Sequence, residues 1–262
     1  MLVRMTSRAG VFAAGDVRAG SINRVAAAVG EGSTAGAARA PIPRAEVTGV
    51  ASSSQAEKRR SHMGTKLEGK KVAFVVTDGF EQTELTGPLR ALEEEGADCD
   101  VISPKEGKVK GWQHGNWADE IAVDVVLKDA DASSYDALVL PGGVMNPDKL
   151  RIIPEVLAFV RKVFDAGKPV GAICHGPWTL IDAGCVEDRT MTSWPSVRTD
   201  LVNAGAKWVD EEVVCDEGLV TSRKPDDLPA FSRKVIEEIA EGVHGEARAK
   251  RIAARRPAAG AE

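Results

Sequence analysis

The apolar run Val170-Gly-Ala-Ile173 stops at Cys174-His175-Gly176-Pro177, which puts a thiol and an imidazole side by side where a buried segment ends. The run reads as a buried strand, with Gly171 permitting close packing. The apolar residues after Pro177 read as the start of a helix. A strand turning sharply into a helix presents its turn residue to solvent and aims the helix's first N–H groups at it. A thiol held there has its anion stabilised and becomes a nucleophile near neutral pH. Cys174 is therefore the expected chemical centre. Two other places offer complementary groups: Glu81, a carboxylate able to carry a proton, and Gly142-Gly143, whose backbone N–H groups can hold an anion.

These residues can meet only if three strand ends converge. Lys71 to Thr77 reads as a buried strand, followed by a loop through Asp78, Gly79, Phe80 and Glu81. A helix is expected from about Gln82, with Leu85, Leu89 and Leu92 on one face and Gly96 ending it; Asp100 to Ser103 is a second strand. Residues 108–128 read as a small antiparallel excursion at the sheet edge. Tyr135 to Leu140 is a core strand leading into Gly142-Gly143, and Pro154 to Ala166 is a helix. Late strands are expected at 213–215 and 219–222, then a last amphipathic helix capped by Asp226 or Asp227. Strands alternating with helices make a mostly parallel sheet with helices on both faces, an α/β sandwich whose active groups gather at the carboxyl ends of the strands.

The 262 residues are 43% hydrophobic, enough to bury a full core. The net charge of -5 is uneven: residues 1–62 balance to +5 and the remainder to -10. An acidic body argues against nucleic acid or an anionic membrane as the primary partner. No apolar run is long enough to span a membrane. Cys99, Cys174, Cys185 and Cys215 show no CxxC or zinc spacing, so no metal is expected, and a reducing, cytoplasmic home is the simplest reading. The organisation expected is a weakly ordered leader over 1–62, a catalytic domain over 63–245 and a frayed basic tail over 246–262.

The motifs DGFEQTEL, ALVLPGG, NPDKLR, GKPVGAICHGP and TSWP follow one another between residues 70 and 243. In order and spacing they resemble the PfpI-type intracellular protease and deglycase family of the class I glutamine-amidotransferase-like superfamily. The resemblance implies a flavodoxin-like three-layer sandwich with Cys174 as nucleophile. It places Glu81 beside the sulfur to manage the proton, and the N–H groups of Gly143 and His175 at the oxyanion. Gly142 and Trp194 would line the pocket, Trp194 standing where several relatives place a tyrosine. His175 adjoins Cys174, and neighbours on a turn do not readily share one hydrogen bond. The family orients this histidine with an acid from a neighbouring subunit, which matches Asp148 here and implies a dimer or higher oligomer; Asp148 as a plain helix-start residue is the alternative. The expected reaction is on methylglyoxal-type aldehydes or their protein adducts, although the family also carries a cysteine-peptidase label. A different class of reading is a redox-sensing stress protein or holdase with an oxidisable Cys174.

Within the leader, residues 10–36 resemble the C-terminal flavin-binding segment of thioredoxin-reductase-type flavoproteins, with Asp16 matching the aspartate that bonds the flavin's ribityl chain. The GxGxxG turn and redox CxxC of such enzymes are absent, so no cofactor is expected, and a fusion remnant or a misplaced start, with Met63 as the true one, accounts for the segment. The remaining cysteines read as buried structural residues. Glu84, three residues after Glu81 on the same helix face, reads as a solvated or helix-start charge, with a second acid as the alternative. His114, between Trp112 and Trp117, reads as an ordinary loop histidine.

Overall fold

The computed structural model describes residues 65–244. The flavoprotein-like segment 10–36 with Asp16, the leader boundary at 62–63 and the tail from Glu246 lie outside the described residues.

Strand β1 (Lys71–Val75) is buried from Val72 onward, as a strand covered on both faces must be. Its alternation divides the core: Val72 and Phe74 pack with Leu85, Leu92, Val139 and Phe231, whereas Ala73 and Val75 pack with Ile102, Leu138, Leu140 and Val160. Around it lie β3 (Asp98–Ser103), β6 (Val125–Val126), β7 (Ala137–Leu140), β8 (Val170–Ile173), β11 (Val213–Asp216) and β12 (Leu219–Ser222). They form a seven-stranded sheet in the order β11-β12-β8-β7-β1-β3-β6. Every pairing is parallel except β11 with β12 at one edge.

One face is covered by α1 (Gln82–Glu94) and α6 (Leu228–Glu241), the other mainly by α3 (Pro154–Asp165) and α4 (Pro177–Asp182). On α3 the residues Val156, Phe159, Val160, Val163 and Phe164 recur at helical spacing and are buried. Each such side chain contributes roughly 1.5–3 kcal/mol by leaving water. On α6, Phe231 and Val235 lie so close to β8 that a Cβ on Gly171 would come within 3.0 Å of both. The expected mostly parallel three-layer sandwich is what forms.

Two local expectations change. The stretch 78–81 is not wholly loop: β2 (Phe80–Glu81) pairs with β4 (Lys108–Gln113), which pairs antiparallel with β5 (Asn116–Ala122). The excursion therefore belongs to a separate three-stranded sheet that ties the Glu81 segment down, and only β6 reaches the edge of the main sheet. Asp227 stands at the start of α6 but makes no side-chain cap; its carboxylate takes the Arg223 guanidinium instead, at 2.8 Å. Short elements with weak periodicity also appear: α2 (Met145–Leu150), β9 (Thr190–Met191), α5 (Arg198–Asn203) and β10 (Lys207–Trp208).

Candidate active site

Cys174 follows β8 directly and has φ +61°, a left-handed conformation that non-glycine residues rarely adopt. The backbone around it is pinned from two sides. Its N–H donates to the Ser222 carbonyl at 3.0 Å, and its carbonyl accepts from the Trp194 N–H at 2.9 Å. The sharp turn brings neighbouring side chains together, so Cys174 Sγ lies 3.2 Å from His175 Nδ1. That contact corrects the expectation that adjacent residues would not share a hydrogen bond.

The carboxyl set closest against the thiol belongs to Glu84, not to Glu81: a Cβ on Gly142 would touch both Glu84 Oε2, at 2.6 Å, and Cys174 Cβ, at 2.7 Å. Glu84 is fully buried and accepts from the Gly142 N–H at 2.9 Å, which overturns its reading as a solvated charge. A signal was present in the sequence. Glu84 lies beside Leu85 and one turn before Pro88, on the face that buries Leu85, Pro88 and Leu92. Burial pushes its pKa from 4.5 up to about 8, against the opposing pull of the Gly142 N–H. Glu84 therefore holds a proton at neutral pH. Glu81 is half-buried in the wall of the same cavity; desolvation raises its pKa, opposed by the charge of His114.

Burial and the neighbouring Glu84 raise the Cys174 pKa, while the backbone N–H groups of Gly143 and His175 act the other way. The resting thiol is thus protonated and buried rather than exposed. Anion stabilisation comes from those two N–H groups and not from a long helix, since α4 has six residues. Gly143 is at φ +75°, and a Cβ there would lie 2.7 Å from the Glu81 nitrogen and the Gly79 oxygen. Gly142 does not line the cavity, but a Cβ on it would lie 2.6 Å from Glu84 Oε2. Asn146, missed in the sequence, secures this turn: fully buried, it accepts from the Thr77 N–H at 2.7 Å and donates to the Pro141 carbonyl at 2.9 Å.

The cavity has a volume of about 300 Å³. Glu81, Glu84, Cys174, His175 and Gly143 supply its polar lining; Trp112, Met145, Trp194 and Pro225 supply much of the rest. Among the described lining residues there is no lysine or arginine. Trp194 lines the cavity as expected and stacks on His175 with ring centroids 6.1 Å apart. Asp148 is exposed on α2. The far nitrogen of His175, Nε2, instead meets Ser196 Oγ at 3.3 Å, a partner the sequence did not suggest. Burial lowers the His175 pKa, so the ring is neutral at pH 7.

One group elsewhere has ligand-like spacing: Glu238, Glu241 and His244 can bring one atom each within 4.8 Å of one another. Its buried member Glu238 already holds the Lys234 ammonium at 2.8 Å, which leaves a poor place for a second cation. No helix among the described residues is long and apolar enough to cross a membrane.

The DJ-1/PfpI family model matches residues 70–238, more than half of the chain and every residue lining the cavity. The chain belongs to the DJ-1/PfpI family. General stress protein 18 of Bacillus subtilis is 46% identical over 170 residues, covering 64% of this chain and 96% of its own length. Deglycase TK1284 of Thermococcus kodakarensis is 43% identical over 166 residues, covering 63% of this chain and 97% of its own length. Among solved structures, Schizosaccharomyces pombe DJ-1 superposes with a TM-score of 0.59 at 27% identity, covering 71% of this chain and 100% of that one. The match to the DJ-1/PfpI family thus coincides with the three-layer unit that carries the thiol. Relatives named as deglycases support a DJ-1/PfpI enzyme.

Proposed function

We propose that this DJ-1/PfpI protein is a cysteine-dependent enzyme acting on small reactive aldehydes, methylglyoxal above all, or on their adducts with proteins. The observation that carries the reading is the fully buried Glu84 carboxyl lining, with Cys174 and His175, one cavity of about 300 Å³. Such a volume sits at the small end of ligand sites. With no lysine or arginine in its lining, the cavity offers a carboxylate-bearing substrate no counter-charge. A compact neutral carbonyl suits it.

In the proposed reaction the Cys174 sulfur bonds to the aldehyde carbon and the thiol proton passes to His175 Nδ1. The carbonyl oxygen, facing the N–H groups of Gly143 and His175, takes the Glu84 proton, giving a hemithioacetal. Moving the C1 hydrogen to C2, and the hydroxyl proton to the neighbouring oxygen, converts this adduct to a lactoyl thioester. Water splits the thioester to lactate and the free thiol. His175 and Glu84 carry the protons and finish as they began.

The test is a substrate panel on wild type and Cys174→Ala. Wild type is expected to release lactate from methylglyoxal and leave casein intact, and Cys174→Ala to lose at least 100-fold in rate. Full activity in Cys174→Ala would end the proposal. Peroxide oxidation confined to Cys174, with no aldehyde turned over, would favour the redox sensor.

A further inference from the structure

The cavity beside Cys174 has more room than methylglyoxal needs, and much of its wall is aromatic. At about 300 Å³ it holds roughly ten non-hydrogen atoms, taking the roughly 30 Å³ share of a liquid water for each. Methylglyoxal fills about half of that. Beyond the reacting groups the wall is made by Trp112, Trp194, Val144, Met145 and Pro225. Two of these keep apolar surface open to water: Trp194 is 39% exposed and Val144 57%.

Both indoles are held in place. The Trp194 N–H donates to the Cys174 carbonyl at 2.9 Å, and the Trp194 carbonyl accepts from the Val197 N–H and the Ser193 hydroxyl, each at 3.0 Å. Trp112 stands on β4 in register with Glu81 of β2. The β4–β5 ladder shifts register between Lys110 and Trp112, an irregularity of the kind that re-aims a side chain beside a site. Gln82 wedges this irregularity: its side-chain amide donates to Asp119 Oδ2 at 3.0 Å, and its Oε1 occupies the place that a Cβ on Gly111 would need. From the other side Trp117 braces Trp112 edge-on, with ring centroids 5.4 Å apart. A wall fixed this firmly selects by shape.

We propose that Trp112 and Trp194 form a recognition slot for the group carried on the aldehyde, and that 2-oxoaldehydes bearing a flat aryl group are bound more tightly than methylglyoxal. The proposal rests on the aldehyde reading and narrows its substrate class. The sulfur bonds the aldehyde carbon, so a substituent on the neighbouring carbon extends away from Cys174 into the remaining space. The chemistry is otherwise the same. With phenylglyoxal, the C1 hydrogen moves to C2, the adduct becomes a mandeloyl thioester, and water releases mandelate and the free thiol. The slot is far from neutral toward charge: Glu81 in the same wall disfavours an anionic substituent, whereas an aryl ring gains by covering indole surface.

The experiment compares phenylglyoxal with methylglyoxal as substrates of the full chain, in wild type, Trp112→Ala and Trp112→Phe. Wild type is expected to show a KM about tenfold lower for phenylglyoxal, with the difference in KM more than in kcat, because the slot binds ground and transition states alike. Trp112→Ala is expected to raise the KM for phenylglyoxal about tenfold more than that for methylglyoxal. Trp112→Phe, which keeps a flat apolar face, is expected to retain the preference to within about threefold. A second readout needs no turnover: protection of Cys174 from iodoacetamide, followed by peptide mass spectrometry. The neutral aryl ketone 2-hydroxyacetophenone is expected to protect wild type at about tenfold lower concentration than hydroxyacetone, and to lose that advantage in Trp112→Ala. Equal KM values for the two aldehydes in wild type, or a preference that survives Trp112→Ala, would overturn the proposal and leave the aldehyde reading standing. The wild-type comparison keeps the proposal falsifiable even where Trp112→Ala does not fold. If no aldehyde is turned over yet the protection pattern holds, the slot stands and the aldehyde reading falls; equal protection by the two ketones would remove the slot.

Discussion

A carboxyl kept protonated inside a protein ties activity to stability, and Glu84 does so here. The folded chain holds its proton up to about pH 8, whereas the unfolded chain releases it near the ordinary value of 4.5. Between these values the folded state binds more protons, so stability contributed by this site is present at low pH and lost as pH rises through about 8. The full span corresponds to roughly 5 kcal/mol. Glu84→Gln keeps the shape, cannot ionise and still accepts from the Gly142 N–H. It is expected to remove this slope, unfolding at a higher temperature than wild type at pH 8, and to lose at least 100-fold in aldehyde turnover. Thermal melts at pH 5 and pH 8 beside a rate assay check both. Equal pH slopes in the two proteins would show that Glu84 ionises freely in the fold. The sequence located the thiol because an apolar strand ending in Cys-His-Gly-Pro has few other uses. It misplaced the acid because Glu81 ends a two-residue strand held by β4 whereas Glu84 lies on the buried face of α1, and three residues of sequence do not show where strand gives way to helix.

At the scale of elements, long periodic segments were legible and short ones were not. β1, β7, β8, α1, α3 and α6 follow directly from apolar runs and helical spacing. α2 and α5 have six residues each, too few for periodicity to speak, and β2 has two residues that only β4 makes into a strand. Ser196 belongs to such a short turn, so its meeting with His175 was not readable before the chain was folded. The packing of α6 on β8 is legible in the glycine of the strand. Gly171 has ordinary backbone angles and its place is set by Phe231 and Val235, each 3.0 Å from where a Cβ would stand. Gly171→Ala is expected to cost about 1–3 kcal/mol by overpacking, read as a lower urea midpoint with an unchanged slope. An unchanged midpoint would mean that α6 shifts freely on the sheet.

For the whole molecule, the strand order determines when the active site can exist. β8 lies between β7 and β12, so the strand bearing the nucleophile has a neighbour made before it and another made after it. The Cys174 amide hydrogen bond ends on Ser222, and its carbonyl bond begins at Trp194. Parallel pairings over such separations close slowly, because long loops must be ordered before contacts reward them. In refolding from urea, helical circular dichroism is expected to recover well before the native iodoacetamide reactivity of Cys174; simultaneous recovery would contradict this. During synthesis the consequence is one of timing. A ribosome that has made residues 1–200 has already produced the thiol and the imidazole, yet the bond that sets the nucleophile's backbone awaits Ser222. The nascent chain cannot form the finished reactive site while it is still emerging, and the last core strand arms it.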